Sequence, residues 1–284
     1  CAINSGSGNL NGLAAMHGAL AEAFGELKAD IETVTSRTQE IVTREGETVN
    51  QPVGDMLRLV KRPQAPVRVL LSGHMDTVFA KDHPFQGETF LDEDTLNAPG
   101  AADMKGGLLV MLYALQTIER SSLADRIGYE VLVNADEEIG SHGSAHMLTE
   151  AAKRAQFACV YEPAPASVPS ASAGSYTQAN GGFTRPPKPM TPQLEKFFHA
   201  LRAAGEDLGL AIDWKPTGGC CDGNNIAAAG IPVIDTLGVR GANIHSAQEY
   251  AKLDSLVERA KLSALLLLKI AGGAIANPGA TETH

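Results

Sequence analysis

His74 and Asp76 stand two residues apart in the stretch SGHMDT (72–77), directly after the apolar run 67–71. An imidazole binds a divalent metal through one ring nitrogen, and a carboxylate beside it can fix the tautomer through the other. Further along, NAPGAADMKGG (97–107) delivers Asp103 through a Gly/Pro-shaped turn to the head of a long apolar segment. Asp103 reads two ways: as the N-cap of the helix that follows, or as a carboxylate whose two oxygens bridge two metals. Three consecutive acids, Asp136, Glu137 and Glu138, follow the apolar run 129–133, and Glu162 follows the run 157–160. Acids crowded in this way repel one another unless water or cations face them. His245 lies in a Gly-containing loop ahead of Glu249 and Tyr250.

Together His74, Asp103, Glu138, Glu162 and His245 supply two imidazoles and three carboxylates, mostly just past strand ends. That donor set suits two zinc ions. With Asp103 shared, each ion would receive one histidine and one carboxylate of its own, with a position left for a bridging water. Glu137, beside a ligand yet spare, is then the candidate general base.

The elements that must position these groups follow from periodicity. Leu10, Leu13, Met16, Leu20 and Phe24 recur at spacings of three and four, which predicts an amphipathic helix over 9–27. Short apolar or β-branched runs at 31–34, 56–60, 67–71, 129–133, 157–160 and 232–236 read as strands. Helices are expected at 105–118, 141–154, 192–208, 224–229 and 254–271. Strand and helix alternate, the signature of a layered α/β domain, and open α/β sheets bind ligands at strand C-terminal ends. Residues 163–180 are Pro, Ala, Ser, Gly and Thr with neither period, and Arg185-Pro-Pro-Lys-Pro follows; this composition predicts a linker or long surface loop.

Composition narrows the partners. The 284 residues are 44% hydrophobic, so a sizeable core is possible and disorder is excluded. With 33 acidic against 23 basic side chains and a net charge of −10, nucleic acid and anionic membrane are poor partners. The longest apolar stretch, 262–270, is interrupted by Ser263 and Lys269 and is too short to span a bilayer. The cysteines, Cys1, Cys159, Cys220 and Cys221, lack C-x-x-C spacing and read as buried or incidental thiols. No internal repeat is present, and no leader precedes Cys1 in this sequence, so the expectation is a soluble protein, cytoplasmic or periplasmic, with its compartment unknown.

In order along the chain, SGHMDTV, NAPGAADMKGG, NADEEIGSHGS, YEPA, GGCCDGN, GIPVIDTLG and IHSAQEY resemble the co-catalytic zinc peptidase family of glutamate carboxypeptidase, acetylornithine deacetylase and aminoacylase. The resemblance covers residues 1 to about 164 and about 181 to 272, and the glutamate carboxypeptidase branch is nearest. It implies a three-layer α/β/α catalytic domain around a central mixed sheet. It also implies that His74, Asp103 and Glu162 hold one zinc and Asp103, Glu138 and His245 the other, that Glu137 is base and then acid, and that Asp76 orients His74. The activity implied is release of a C-terminal amino acid such as glutamate from a small N-acyl or peptide substrate. Alternatives are an N-acyl amino acid deacylase and a metal-binding core without catalysis.

The sequence departs from the family in two places. Members usually insert a second α/β domain, a lid that contributes to dimerisation, where this chain has only residues 164–182, so residues 1–284 are expected to form a single catalytic domain, monomeric or weakly dimeric. Cys220-Cys221 replaces the usual Gly, Ser or Thr, and Arg240 sits in a normally Gly-rich loop, where it reads as a solvated side chain or as a partner for a substrate carboxylate. His142 and His146, four apart, read as surface residues near the site.

Overall fold

A computed structural model describes residues 1–43, 45–166, 170–174 and 185–275. In chain order the elements are α1 (Leu10–Gly25), β1 (Asp30–Val34), β2 (Gln39–Val42), β3 (Thr48–Gln51), β4 (Met56–Lys61), β5 (Val67–His74), β6 (Thr89–Asp92), β7 (Thr95–Asn97), α2 (Gly107–Glu119), β8 (Ile127–Asn134) and α3 (Ala145–Ala152). There follow β9 (Phe157–Val160), β10 (Ala164–Pro165), β11 (Ser170–Gly174), α4 (Pro192–Asp207), β12 (Asp213–Thr217), α5 (Asp222–Ala227), β13 (Val233–Ile234), β14 (Arg240–Ala242), β15 (Tyr250–Lys252) and α6 (Asp254–Ala271).

Six strands form a mixed central sheet in the order β1-β4-β8-β5-β9-β13. β4 runs antiparallel to both its neighbours, while β8, β5, β9 and β13 run parallel. Alternation along each strand separates two apolar layers, because successive side chains leave opposite faces. Val69, Leu71, Val131, Val133, Phe157 and Cys159 face α1, α2, α4 and α6; Leu70, Leu132, Ala158 and Val160 face α3 and α5. The central strands β5, β8 and β9 are therefore apolar on both faces, as parallel strands sandwiched between helices must be. The expected α/β/α layering and mixed sheet are what the chain forms. No helix among the described residues is long and apolar enough to cross a membrane.

A second sheet, β10-β14-β15-β7-β6, stands beside the first. Its strands are two to four residues long and carry no readable period, so nothing in the sequence predicts them. Its role is positional: β7 leads into the Asp103 loop, and His245 lies between β14 and β15.

Several expected elements shift. β5 runs to His74 rather than stopping at residue 71, so the histidine ends the strand. The predicted 141–154 helix shortens to α3, because Ser141 has a positive φ of 57° and Asp136 collects the Ser141 and Gly143 amides into a turn. The loop predicted over 163–180 contains β10, paired with β14, and β11, paired with β12; its residues 167–169 and 175–180 lie outside the described part. Two buried ion pairs anchor the chain just beyond: Arg185 reaches Glu137, and Lys188 reaches Asp235. The surface-loop reading therefore fails at Arg185 and Lys188, whose charges are paired inside.

The helix α2 starts against the strand that precedes Glu162. A methyl group on Gly107 would meet the Tyr161 carbonyl oxygen at 2.0 Å. Glycine there lets helix and strand approach closely enough to bring Asp103 and Glu162 to one cavity. Gly107→Ala is expected to lower stability by about 2 kcal/mol or more, since the clash is with backbone and not with a movable side chain. An unchanged urea midpoint would refute this reading.

Candidate metal centre

The C-terminal ends of β5, β8 and β9 carry His74, the turn at 136–138 and Glu162 to one edge of the central sheet. The second sheet brings Asp103 and His245 to face them. His74 Nε2 lies 3.2 Å from Asp103 Oδ1 and 3.7 Å from Glu162 Oε2. His245 Nε2 lies 3.1 Å from Asp103 Oδ2 and 3.2 Å from Glu138 Oε2. The ligand atoms of His74, Asp103 and Glu162, and separately those of Asp103, Glu138 and His245, fall within 4.8 Å of one another. Each oxygen of Asp103 thus serves a different triad, and these are the only such groups among the described residues. The five residues singled out as donors come together; His142 and His146 belong to neither group.

The electrostatics call for a cation. Burial first, and then neighbouring negative charge, raises the Glu137 and Glu138 carboxyls, and burial pushes Glu162 up to about 7. Burial opposes ionisation of Asp103 as well, but hydrogen bonds from His245 and His74 hold it well below the usual range. Hydrogen bonds to Asp103 and Glu138 push His245 up to about 10, and His74 is raised by Glu162 and Asp103 against the effect of its burial. Acceptor atoms that converge this closely need positive charge between them, whether protons on the imidazoles or metal ions. Glu162 Oε1 is buried with no hydrogen-bond partner among the described residues, and a carboxylate oxygen left so is a suitable metal ligand. The residues fit a pair of divalent ions.

Asp76 lies beside His74 with both its backbone and its side chain. Nδ1 lies 3.0 Å from the backbone carbonyl of Asp76 and 3.4 Å from its carboxylate. The carbonyl holds the ring, with Nδ1 donating, and leaves Nε2 to face Asp103. The Asp76 carboxylate also accepts the amides of Glu137 (3.1 Å) and Glu138 (3.2 Å) and the Ser7 hydroxyl (2.7 Å). It fixes the turn that carries the candidate base and a ligand. Nor does Asp103 cap a helix: α2 begins four residues later with Gly106 at its N-cap position, and the Asp103 carboxylate oxygens face His74 and His245.

Three buried charges went unread in the sequence. Glu249 accepts the amides of Gly100 (3.3 Å), Ala102 (3.0 Å) and Asp103 (3.1 Å), holding the loop that presents Asp103. Arg185 sits 2.7 Å from Glu137 Oε1 and donates to the Glu137 carbonyl (2.9 Å) and the Ser141 hydroxyl (2.8 Å). Arg259, 2% exposed, donates to the carbonyls of Gly238 (3.0 Å) and Thr236 (2.8 Å), steadying the loop packed against Tyr161 and Glu162. The available signal was weak: the glutamate inside IHSAQEY and the arginine before Pro-Pro sit within motifs, but neither sequence shows what it touches.

Asp103, Glu137, Glu138, Glu162, Cys220 and His245 line a cavity of about 270 Å³. Cys221 caps α5 by accepting the Gly223 amide, and no cysteine is bridged. Arg240 turns away to Asp254 (2.7 Å) and Glu258 (3.3 Å), which disposes of it as a free partner for substrate.

Comparison with known proteins agrees with this geometry. Residues 70–269 match the profile described as Peptidase family M20/M25/M40. Over 183 residues the chain is 34% identical to carboxypeptidase G2 of Pseudomonas sp. (strain RS-16), a match covering 63% of this chain and 41% of that protein. The chain therefore spans well under half the length of this curated relative. Among solved structures, the dipeptidase Dug1p of Saccharomyces cerevisiae superposes with a TM-score of 0.71 at 12% identity, covering 95% and 94% of the two chains. Aminopeptidase PepT from Bacillus cereus ATCC 10987 gives 0.69 at 15% identity, covering 95% of each. At such identities the structural likeness is one of fold.

Because Glu249 holds the loop that presents Asp103, the residue common to both candidate triads, its loss should be felt by both. Glu249→Gln replaces one accepting oxygen with an amide that cannot take the Gly100 N–H. Zinc affinity, read by competition with a chromophoric chelator, is expected to fall about 10- to 100-fold, as supporting groups around metal sites typically cost. Affinity equal to the parent's would show that the loop is held by other means.

Proposed function

The chain belongs to the peptidase family M20/M25/M40, and from that premise we propose that it is a two-zinc amide hydrolase of the carboxypeptidase type, releasing a C-terminal amino acid such as glutamate from a small N-acyl or peptide substrate. One observation carries the reading: Asp103 turns one oxygen to each of two His/carboxylate sets while Glu137, in neither set, lines the same cavity. In this reading His74, Asp103 and Glu162 hold one ion, and Asp103, Glu138 and His245 the other. Bound there, a zinc pair would supply Lewis acidity, polarising the scissile carbonyl and acidifying water.

The chain's own residues do the rest. Glu137 takes a proton from the attacking water and returns it to the leaving amine nitrogen. Its burial favours this, because a carboxylate whose ionised form is disfavoured accepts a proton readily. Arg185 engages Oε1 and leaves Oε2 for the proton. Asp76, through the two amides of the turn, keeps that carboxylate aimed into the cavity. Residues 164–182 take the place of the family's lid in a single-domain chain, with a monomer or weak dimer as the expected state, which equilibrium sedimentation reads directly.

Elemental analysis is expected to give about two zinc ions per chain, falling to one or fewer in Asp103→Ala, where the shared ligand is lost. A parent that takes up no zinc when supplied with it would overturn the reading. Glu137→Gln should retain the metal yet lose about 10²- to 10⁴-fold in hydrolysis of acyl-glutamates; parental turnover would remove Glu137 as the base. Acetylated amino acids cleaved faster than acyl-glutamates would favour a deacylase instead.

A further inference from the structure

At the opposite end of the central sheet, three guanidinium groups line one cavity of about 280 Å³: Arg58 on β4, Arg68 on β5 and Arg154 just beyond α3. The register explains their meeting. Val60 and Leu70 both lie across from Glu130, so Arg58 and Arg68, each two residues from those positions, share one face with Glu130. It is the face that α3 covers further along. α3 ends at Ala152, and the sheet beyond it is left to the arginines and to Val60, Pro63 and Ala155.

Their hydrogen bonds are only partly used. Glu130 accepts from Arg58 Nε (2.7 Å) and from Arg154 Nε (3.0 Å) and Nη2 (2.6 Å). Arg58 Nη1 reaches Glu32, and Arg68 Nε donates to the Arg154 carbonyl (2.6 Å). Both terminal nitrogens of Arg68, Nη2 of Arg58 and Nη1 of Arg154 have no partner among the described residues. Three guanidiniums against two carboxylates, Glu130 and Glu32, leave a local charge of +1, in a chain whose net charge is −10. Such a cluster is held against the overall field, and planar forks with free N–H groups are what carboxylate and phosphate recognition uses.

We infer that this cavity binds a small oxyanion, a phosphomonoester or a dicarboxylate, on the free guanidinium N–H groups of Arg58, Arg68 and Arg154, with its organic body against Val60, Pro63 and Ala155. Glu130 forms the floor and orders Arg58 and Arg154, while Arg68 is the group with most donors to offer. Six residues of β5 separate Arg68 from His74, roughly 20 Å at the rise of an extended strand. The site is thus remote from the metal donors and does not depend on the hydrolase reading.

The test is calorimetric titration of the full chain with phenyl phosphate and with glutarate, in the parent, Arg68→Met, Arg68→Gln and Asp103→Ala. Saturable binding of either ligand is expected, weakened about tenfold or more in both Arg68 variants, unchanged in Asp103→Ala and diminished by added salt. The tighter of the two ligands identifies the source of the charge. Arg68 makes a single side-chain hydrogen bond, so its variants are expected to fold, with thermal midpoints near the parent's; should Arg68→Met fail, Arg68→Gln reads the same point. Binding lost in Asp103→Ala but kept in the Arg68 variants would assign the anion to the metal centre and overturn the inference. No saturable binding of either ligand would overturn it equally.

Discussion

Asp103, Glu137, Glu138 and Glu162 are brought to one small cavity with His74 and His245 among them, and the rest of the molecule answers to the repulsion this creates. Carboxylates at such separations do not stay together by attraction for one another, and their burial makes ionisation costlier still. The fold holds them in place by backbone geometry. Each acid follows directly from the end of a buried strand or from a turn with its amides captured, so the side chain has little freedom to swing away from its neighbours.

Acids also serve as the restraints. Asp76 takes two amides of the turn carrying Glu137 and Glu138, Asp136 takes the Gly143 amide and the Ser144 hydroxyl, and Glu249 takes three amides of the Asp103 loop. An ionised carboxylate is acceptor-only and can satisfy several N–H groups at once, which suits it to shaping a loop. The same residue type therefore plays two parts here, as a member of the candidate metal triads and as an internal anchor. Arg185 supplies a fixed positive charge on one side of the cavity, delivered by the chain that returns after residues 167–184.

Much of this was legible in order along the sequence. The period of three to four located α1, α4 and α6 nearly to the residue, and the runs that became β8 and β9 announced themselves by composition. His74, Asp103, Glu138, Glu162 and His245 could be picked out because each ends or follows a recognisable element. The short strands β6, β7, β14 and β15 could not, since three or four residues leave no period to read. Those strands carry two of the five donors into place.

What the sequence determined by itself was the kind of chemistry and the class of fold: residue types, their order and the local periods are properties of near neighbours. What the tertiary structure decided was which atoms meet. That Asp103 turns one oxygen to each histidine, that the Asp76 carboxylate captures the amides of Glu137 and Glu138, and that Glu249 and Arg185 reach the site at all depend on segments many residues apart being packed together. Periodicity cannot report such pairings, because the partner of a buried charge is chosen by the closure of loops around a common core, and only the folded chain fixes how they close.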